Sequence, residues 1–302
     1  MKASDRPSGR VESLRSYPAH ISPDDNGSLT PVISIARSAR PATAVYVATL
    51  PARLSARDKA IVRDLGRVRC LTGRQLERLH FHDLAAANRD RARRRVLGRL
   101  ISLSVITTLE RSIGGVRAGS AGLVYTLDSA GQRLLRLLDG EGQESARRPW
   151  TPGALFVGHT LDVAELYVQL REAERAGQCE LAVFRAEPAC WQRTASLGTL
   201  KPDAYALVAA GEVEDAWWLE VDRGTESPGT LRRKLSLYLL AAQAGVSGPD
   251  GIMPRVLVTV PNERRLHILR SITDSIGMSA QRLIAAPLHN RAISFIVEVL
   301  RE

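Results

Sequence analysis

The apolar positions of the chain change period along its length, and each change predicts a change of element. From Ser55 to about Val68, residues Ala56, Ile61, Val62 and Leu65 recur at helical spacing behind a residue suited to cap a helix start. Thr72 opens a second, short helix over 72–79. A third starts near Asn88 and sets Ala92, Val96, Leu100 and Leu103 on one face. The period then falls to two: 106–111 and 122–127 read as strands joined by a tip containing Gly114, Gly115 and Gly119. Asp128 caps a last helix through Leu138.

The later half alternates again. A helix is expected over 154–176, a strand over 180–185, a hairpin-like region over 190–199 and strands over 203–209 and 216–222. A helix over 225–244, a strand over 255–260, a helix over 263–276 and a strand over 292–297 follow. This is the pattern of a mixed α/β unit with a central sheet covered by helices on both faces. Ahead of all this, residues 1–50 read as a disordered arm, within which Ala42–Leu50 is apolar enough for a short strand or docking segment. Residues 139–153 read as a linker from their Gly, Pro and charge content. The expected organisation is therefore an arm (1–50), a helical and hairpin domain (51–138), a linker (139–153) and an α/β domain (154–302).

A chain of 302 residues has room for two cores. It has no apolar run long enough to span a bilayer and no signal-peptide pattern in its first thirty residues. Its three cysteines (Cys70, Cys179, Cys190) lack CxxC spacing, which points to a reducing cytoplasm and away from a zinc or disulfide framework. The net charge of +10 is concentrated: residues 51–138 hold 18 Arg/Lys against 7 Asp/Glu, whereas residues 151–302 hold 16 against 18. Helix, helix, helix, hairpin is the order of a winged helix-turn-helix, whose third helix enters a DNA groove. That helix carries Arg89, Arg91, Arg93, Arg94, Arg95 and Arg99, and Arg111 and Arg117 flank the hairpin tip. With few acids at helical spacing to neutralise them, double-stranded DNA is the expected partner; the alternative is a solvated helix face.

Chemistry concentrates at Lys201-Pro202-Asp203 and Trp217-Trp218-Leu219-Glu220-Val221-Asp222-Arg223. Alternation along a strand puts Glu220 and Asp222 on one face and Trp217, Leu219 and Val221 on the other. Asp203, Glu220 and Asp222 at the ends of neighbouring strands form an oxygen-rich cluster of the kind that suits Mg²⁺ or Mn²⁺, and through it phosphodiester chemistry.

This order of elements resembles the PD-(D/E)xK nuclease superfamily, with its restriction-endonuclease-like fold. Together with the preceding helices and hairpin, residues 55–300 resemble the replication-relaxation family of plasmid and mobile-element proteins. The residues that carry the likeness are Arg91–Leu100, Val124–Gly131, Gly158–Leu166, Lys201-Pro202-Asp203, Trp218–Glu226 and Leu231–Tyr238. The resemblance implies that Asp203 and Glu220 bind metal, that Glu165 adds an acid from the first helix of the domain, and that replication or conjugation proteins are partners. Asp222 stands where the motif lysine belongs, so the resemblance moves that cation onto the following helix, at Lys234, with Arg223 as an alternative. Two outcomes stay open: a nuclease that nicks DNA, or a nuclease-like platform that binds DNA without cutting it. A transcription factor with an apolar effector pocket is a third.

Overall fold

Capping residues start the helices near the predicted positions. In this computed structural model, which describes residues 42–109, 122–140, 154–194 and 197–301, Ser55 forms a capping box with Asp58 at the head of α2 (Ala56–Val68). Thr72 does the same with Gln75 for α3 (Gly73–His80). The arginine-rich helix is α4 (Ala86–Ser102), and Asp128 caps α5 (Ser129–Leu138). A short strand that the periodicity does not reveal, β1 (Cys70–Thr72), precedes α3. It pairs antiparallel with β3 (Val124–Leu127), which also pairs with β2 (Ile106–Leu109), giving a three-stranded sheet in the order β1-β3-β2.

Two segments open to a strand reading are helices. Of residues 42–50, read as a short strand or docking segment, 44–50 belong to α1 (Ala44–Arg53), capped by Thr43, and residues 292–297, read as a strand, belong to α10 (Ala292–Val299). Both segments are short apolar runs. Their periodicity cannot separate a buried helix from a buried strand, and packing decides.

The remainder begins with α6 (Ala154–Arg175) and is built on a five-stranded sheet. β7 (Ala204–Ala210) runs antiparallel to both of its neighbours, β4 (Glu180–Ala186) and β8 (Val213–Val221). β9 (Arg255–Thr259) and β10 (Ile284–Ala285) extend the sheet in parallel beyond β8, giving the order β10-β9-β8-β7-β4. β5 (Gln192–Thr194) and β6 (Gly198–Leu200) form a separate hairpin between β4 and β7. α7 (Pro228–Gln243) crosses from β8 to β9, and α8 (Glu263–Ile276) with α9 (Met278–Leu283) leads to β10.

Both faces of the sheet are covered. Trp217, Leu219 and Val221 of β8 point into a core shared with α6 and α10, and that core continues without a break to α1, α2, α4 and α5. Trp218 points the other way, into a second core with Leu231, Leu235 and Tyr238 of α7 and Leu266 and Leu269 of α8. The described residues belong to one compact unit. Polar contacts reinforce the shared core: Tyr167 on α6 donates to Asp64 on α2 at 2.7 Å and accepts from Arg67 at 2.8 Å.

Candidate functional site

The antiparallel register of β7 and β8 aligns Ala204 with Leu219 and so sets Asp203 opposite Glu220. Directly opposed side chains lie close, and two carboxylates there repel each other. Both are buried, at 8% and 2% exposure. The chain supplies several groups to relieve the repulsion. The Val221 amide donates to Asp203 Oδ2 at 2.8 Å, and His159 Nε2 on α6 lies 3.0 Å from Asp203 Oδ1. Lys234 Nζ on α7 lies 2.5 Å from Glu220 Oε2, which has no hydrogen-bond partner besides that ammonium, and Tyr238 donates to Glu220 Oε1. Lys234 and Tyr238 are one helical turn apart, so a single face of α7 reaches both oxygens.

The relief is unequal. Burial pushes Asp203 up, but the His159 hydrogen bond, the Lys234 charge and the Val221 amide hold it below the usual carboxylate range. Glu220 is pushed up to about 8, first by burial and then by the Asp203 charge, against the pull of Lys234 and Tyr238. Burial lowers Lys234, yet Glu220 and Asp203 raise it above the usual lysine value. His159 is raised by its hydrogen bond to Asp203, against burial. Asp203 is thus compensated by His159, Lys234 and the Val221 amide, and the shortfall of positive charge falls on Glu220.

These residues line a cavity of about 250 Å³ together with Arg223, Thr225, Glu226 and Leu231. Arg223 lies 2.9 Å from Asp162 and rests against Gly158, where a Cβ would meet its guanidinium at 2.7 Å. Glycine at 158 is what allows this cation to pack flat on α6 at the cavity edge. The cavity wall combines carboxylates, an ammonium and a guanidinium with the aliphatic side chains of Val221, Leu231, Leu235 and Val258.

Two further acids expected at the site are held by arginines of other helices. Asp222 lines the cavity, but Arg265 on α8 grips both its oxygens (Nη2 to Oδ1, 3.0 Å) and the Gly224 amide takes Oδ1 again at 2.8 Å. Its oxygens thus also hold the turn after β8. Glu165 lies on another face of α6 from His159, where Arg78 Nη1 (2.6 Å) and Gln75 Nε2 (3.0 Å) of α3 hold it, and Arg78 also clasps Glu172. Glu165 is part of the contact between α3 and α6. His159, not Glu165, is the α6 residue that lines the cavity, and Asp162 reaches it through Arg223. The near pairing of His159 with an acid at a helix start was the only sequence signal for them.

The arginines of α4 also divide. Arg93 is 1% exposed and is held by Glu77 and Asp90. Arg99 Nη2 reaches the buried Asp58 at 2.6 Å and 2.7 Å. Arg89 donates to the carbonyls of Leu84 (2.8 Å) and His82 (3.0 Å), and Arg94 pairs with Asp90 one turn back at 2.6 Å. Within α4 only Asp90 supplies an acid at helical spacing among these pairs; Glu77 and Asp58 are acidic partners from other helices. Arg91, Arg94 and Arg95 are exposed along one stripe with Gly98, whose Cβ position meets nothing within 4 Å. Arg111 and Arg117 lie outside the described residues.

Among the described residues no group of three or more His, Cys, Asp or Glu side chains is placed to hold a metal ion. Asp203 and Glu220 are the two carboxylates that could do so jointly, which is sufficient where phosphate and water complete the shell of Mg²⁺. No helix among the described residues is long and apolar enough to cross a membrane. Comparison with curated proteins and with solved structures gives no match. The family model described as replication-relaxation matches residues 62–256, more than half of the chain and inclusive of Asp203, Glu220 and Lys234; the protein belongs to the replication-relaxation family.

Proposed function

We propose that this protein binds duplex DNA during the replication or relaxation of a mobile element and nicks it at the cavity between β7, β8 and α7. The observation that carries the reading is the cross-strand pair Asp203–Glu220, with Lys234 seated on Glu220, at the wall of the cavity. In this reading residues 154–301 are a restriction-endonuclease-like unit with Lys234 in the role of the displaced motif lysine. The charge shortfall of the two carboxylates favours a divalent cation, and Asp203 and Glu220 would hold Mg²⁺ or Mn²⁺. When bound, such an ion neutralises phosphate charge and acidifies a water. Lys234 stays protonated at neutral pH and can donate to a phosphate oxygen at the mouth. His159 fixes Asp203 from the α6 side, and Arg223 adds a further cation at the edge.

DNA binding is supported by the order helix, strand, helix, helix, strand, strand over 56–127, with its three-stranded sheet, which is that of a winged helix. The exposed stripe Arg91, Arg94 and Arg95 would meet phosphates or base edges, and Gly98 leaves room for close approach.

A second reading keeps the DNA contact without cleavage. It is favoured by Glu220, both of whose oxygens are already engaged by Lys234 and Tyr238. Nicking of supercoiled plasmid in Mg²⁺ or Mn²⁺ separates the two, with Asp203→Ala and Glu220→Ala variants first shown to bind DNA normally. Metal-dependent nicking lost in both variants by about 100-fold or more supports the nuclease. Normal binding with no nicking by the wild type supports the platform.

A further inference from the structure

The hairpin β5–β6 stands immediately before Asp203 in the chain and carries an unusual surface. Trp191, just ahead of β5, is 40% exposed; no other aromatic side chain among the described residues is as exposed. An indole ordinarily buries 150–250 Å² of surface, so leaving half of one in water forgoes a large hydrophobic gain unless a ligand covers it. The register of the hairpin, Gln192 opposite Leu200, sets Trp191 opposite Lys201, and the Lys201 ammonium lies 4.9 Å from the indole centroid. Beneath them, buried Cys190 donates its thiol to the Pro202 carbonyl at 3.0 Å, and Leu200 is buried in the core under the sheet. The pair is thereby fixed to Pro202 and Asp203, within two residues of the candidate site. Arg193, on the same hairpin, is exposed.

We propose that Trp191 and Lys201 form a clamp for an unpaired nucleotide beside the scissile phosphodiester, the indole stacking on the base and the ammonium meeting the adjoining phosphate. This rests on the reading that the neighbouring cavity acts on DNA. The chemistry fits a single-stranded segment: every base offers a π-face to an exposed aromatic, while in intact duplex those faces are stacked away. A cation beside the ring then finds the phosphate that each nucleotide brings. A strand opened at a nick or a replication origin presents both.

The test is fluorescence anisotropy with the full chain, without divalent metal, on labelled duplex containing a short single-stranded gap. The same duplex with abasic residues in the gap and the fully paired duplex serve as references. Wild type is expected to bind the gapped duplex about tenfold more tightly than the abasic or fully paired forms. Trp191→Ala should lose that preference with unchanged thermal stability, and Trp191→Phe should keep most of it. Lys201→Ala should lower the salt dependence of gapped-DNA binding by about 0.7 in log–log slope. Equal binding of gapped and abasic DNA by the wild type, an unchanged preference in Trp191→Ala, or no DNA binding at all would overturn the clamp. A Trp191-dependent preference with no plasmid nicking would retain the clamp and defeat the nuclease reading. Nicking that survives with no base preference does the reverse.

Discussion

Two charged clusters of this protein obey opposite rules. At the end of β7 and β8, Asp203 and Glu220 are buried against each other, with Lys234 on Glu220 and His159 on Asp203, and Glu220 is pushed up to about 8. Under α4, the buried Asp58 meets Arg99 and its own capping hydrogen bonds; although burial raises it, these partners hold it below its ordinary value of 3.8. The first cluster is short of compensation and the second is supplied with it. A polar group that folding does not need is the better mark of a ligand site, because its cost must be offset by something outside the chain. Abundant arginine is a weaker mark, since helices and neighbouring acids absorb much of it.

The contrast can be broken by substitution. Lys234→Ala removes the ammonium from two buried carboxylates. We expect about 2 kcal/mol lower stability at pH 8, discounted for the partial exposure of Lys234, together with loss of nicking. Denaturant melts with parallel plasmid assays measure both; an unchanged melt would remove the electrostatic premise. Arg99→Ala should cost about 1–2 kcal/mol by leaving Asp58 with its capping contacts alone, while nicking at saturating DNA stays normal. Its penalty has a defined pH sense. Asp58 is depressed in the folded state, so its contribution is present above 3.8 and is lost as pH falls through the lower folded value. Urea titrations of the two proteins down the acid range should therefore converge; a gap that widens toward acid refutes the assignment.

Smaller effects sharpen the picture. The double variant Arg91→Ala/Arg95→Ala should bind DNA about tenfold more weakly, with a salt slope reduced by about 2 and an unchanged melting temperature. A fall in melting temperature instead would make these arginines structural, like Arg93. Glu165→Gln should lower stability by less than about 1 kcal/mol through its lost pair with Arg78, and leave nicking untouched. A nicking defect there would restore Glu165 to the site.

What could be read from the sequence follows the same division. The pair Asp203–Glu220 was legible because strand alternation and short connections fix which residues of adjacent strands meet. The grip of Arg265 on Asp222 is not legible because the two are 43 residues apart and Arg265 sits on a helix whose docking no local pattern encodes. The contact of Glu165 with Arg78 is hidden for a related reason: α6 is covered on several faces, and which face meets the sheet end is decided by packing with α3. His159 therefore takes the position beside Asp203. The runs at Ala44–Arg53 and Ala292–Val299 are legible as apolar but not as helices, since an apolar run this short fits either period and only its docked face, Val47 and Leu50 in α1 and Ala292, Ile293, Ile296 and Val297 in α10, shows the helical one.

The most direct test of the claim that the sheet-end carboxylates serve a ligand and not the fold is the melting temperature of wild type and Glu220→Gln at pH 8, with and without Mn²⁺. Glu220 is raised in the folded state, so the stability it contributes is present below its ordinary value of 4.5 and is lost as pH rises to about 8. Without metal, Glu220→Gln should melt at or above the wild type, and Mn²⁺ should raise the wild type alone. A variant that melts well below wild type, with Mn²⁺ shifting both equally, would contradict the account.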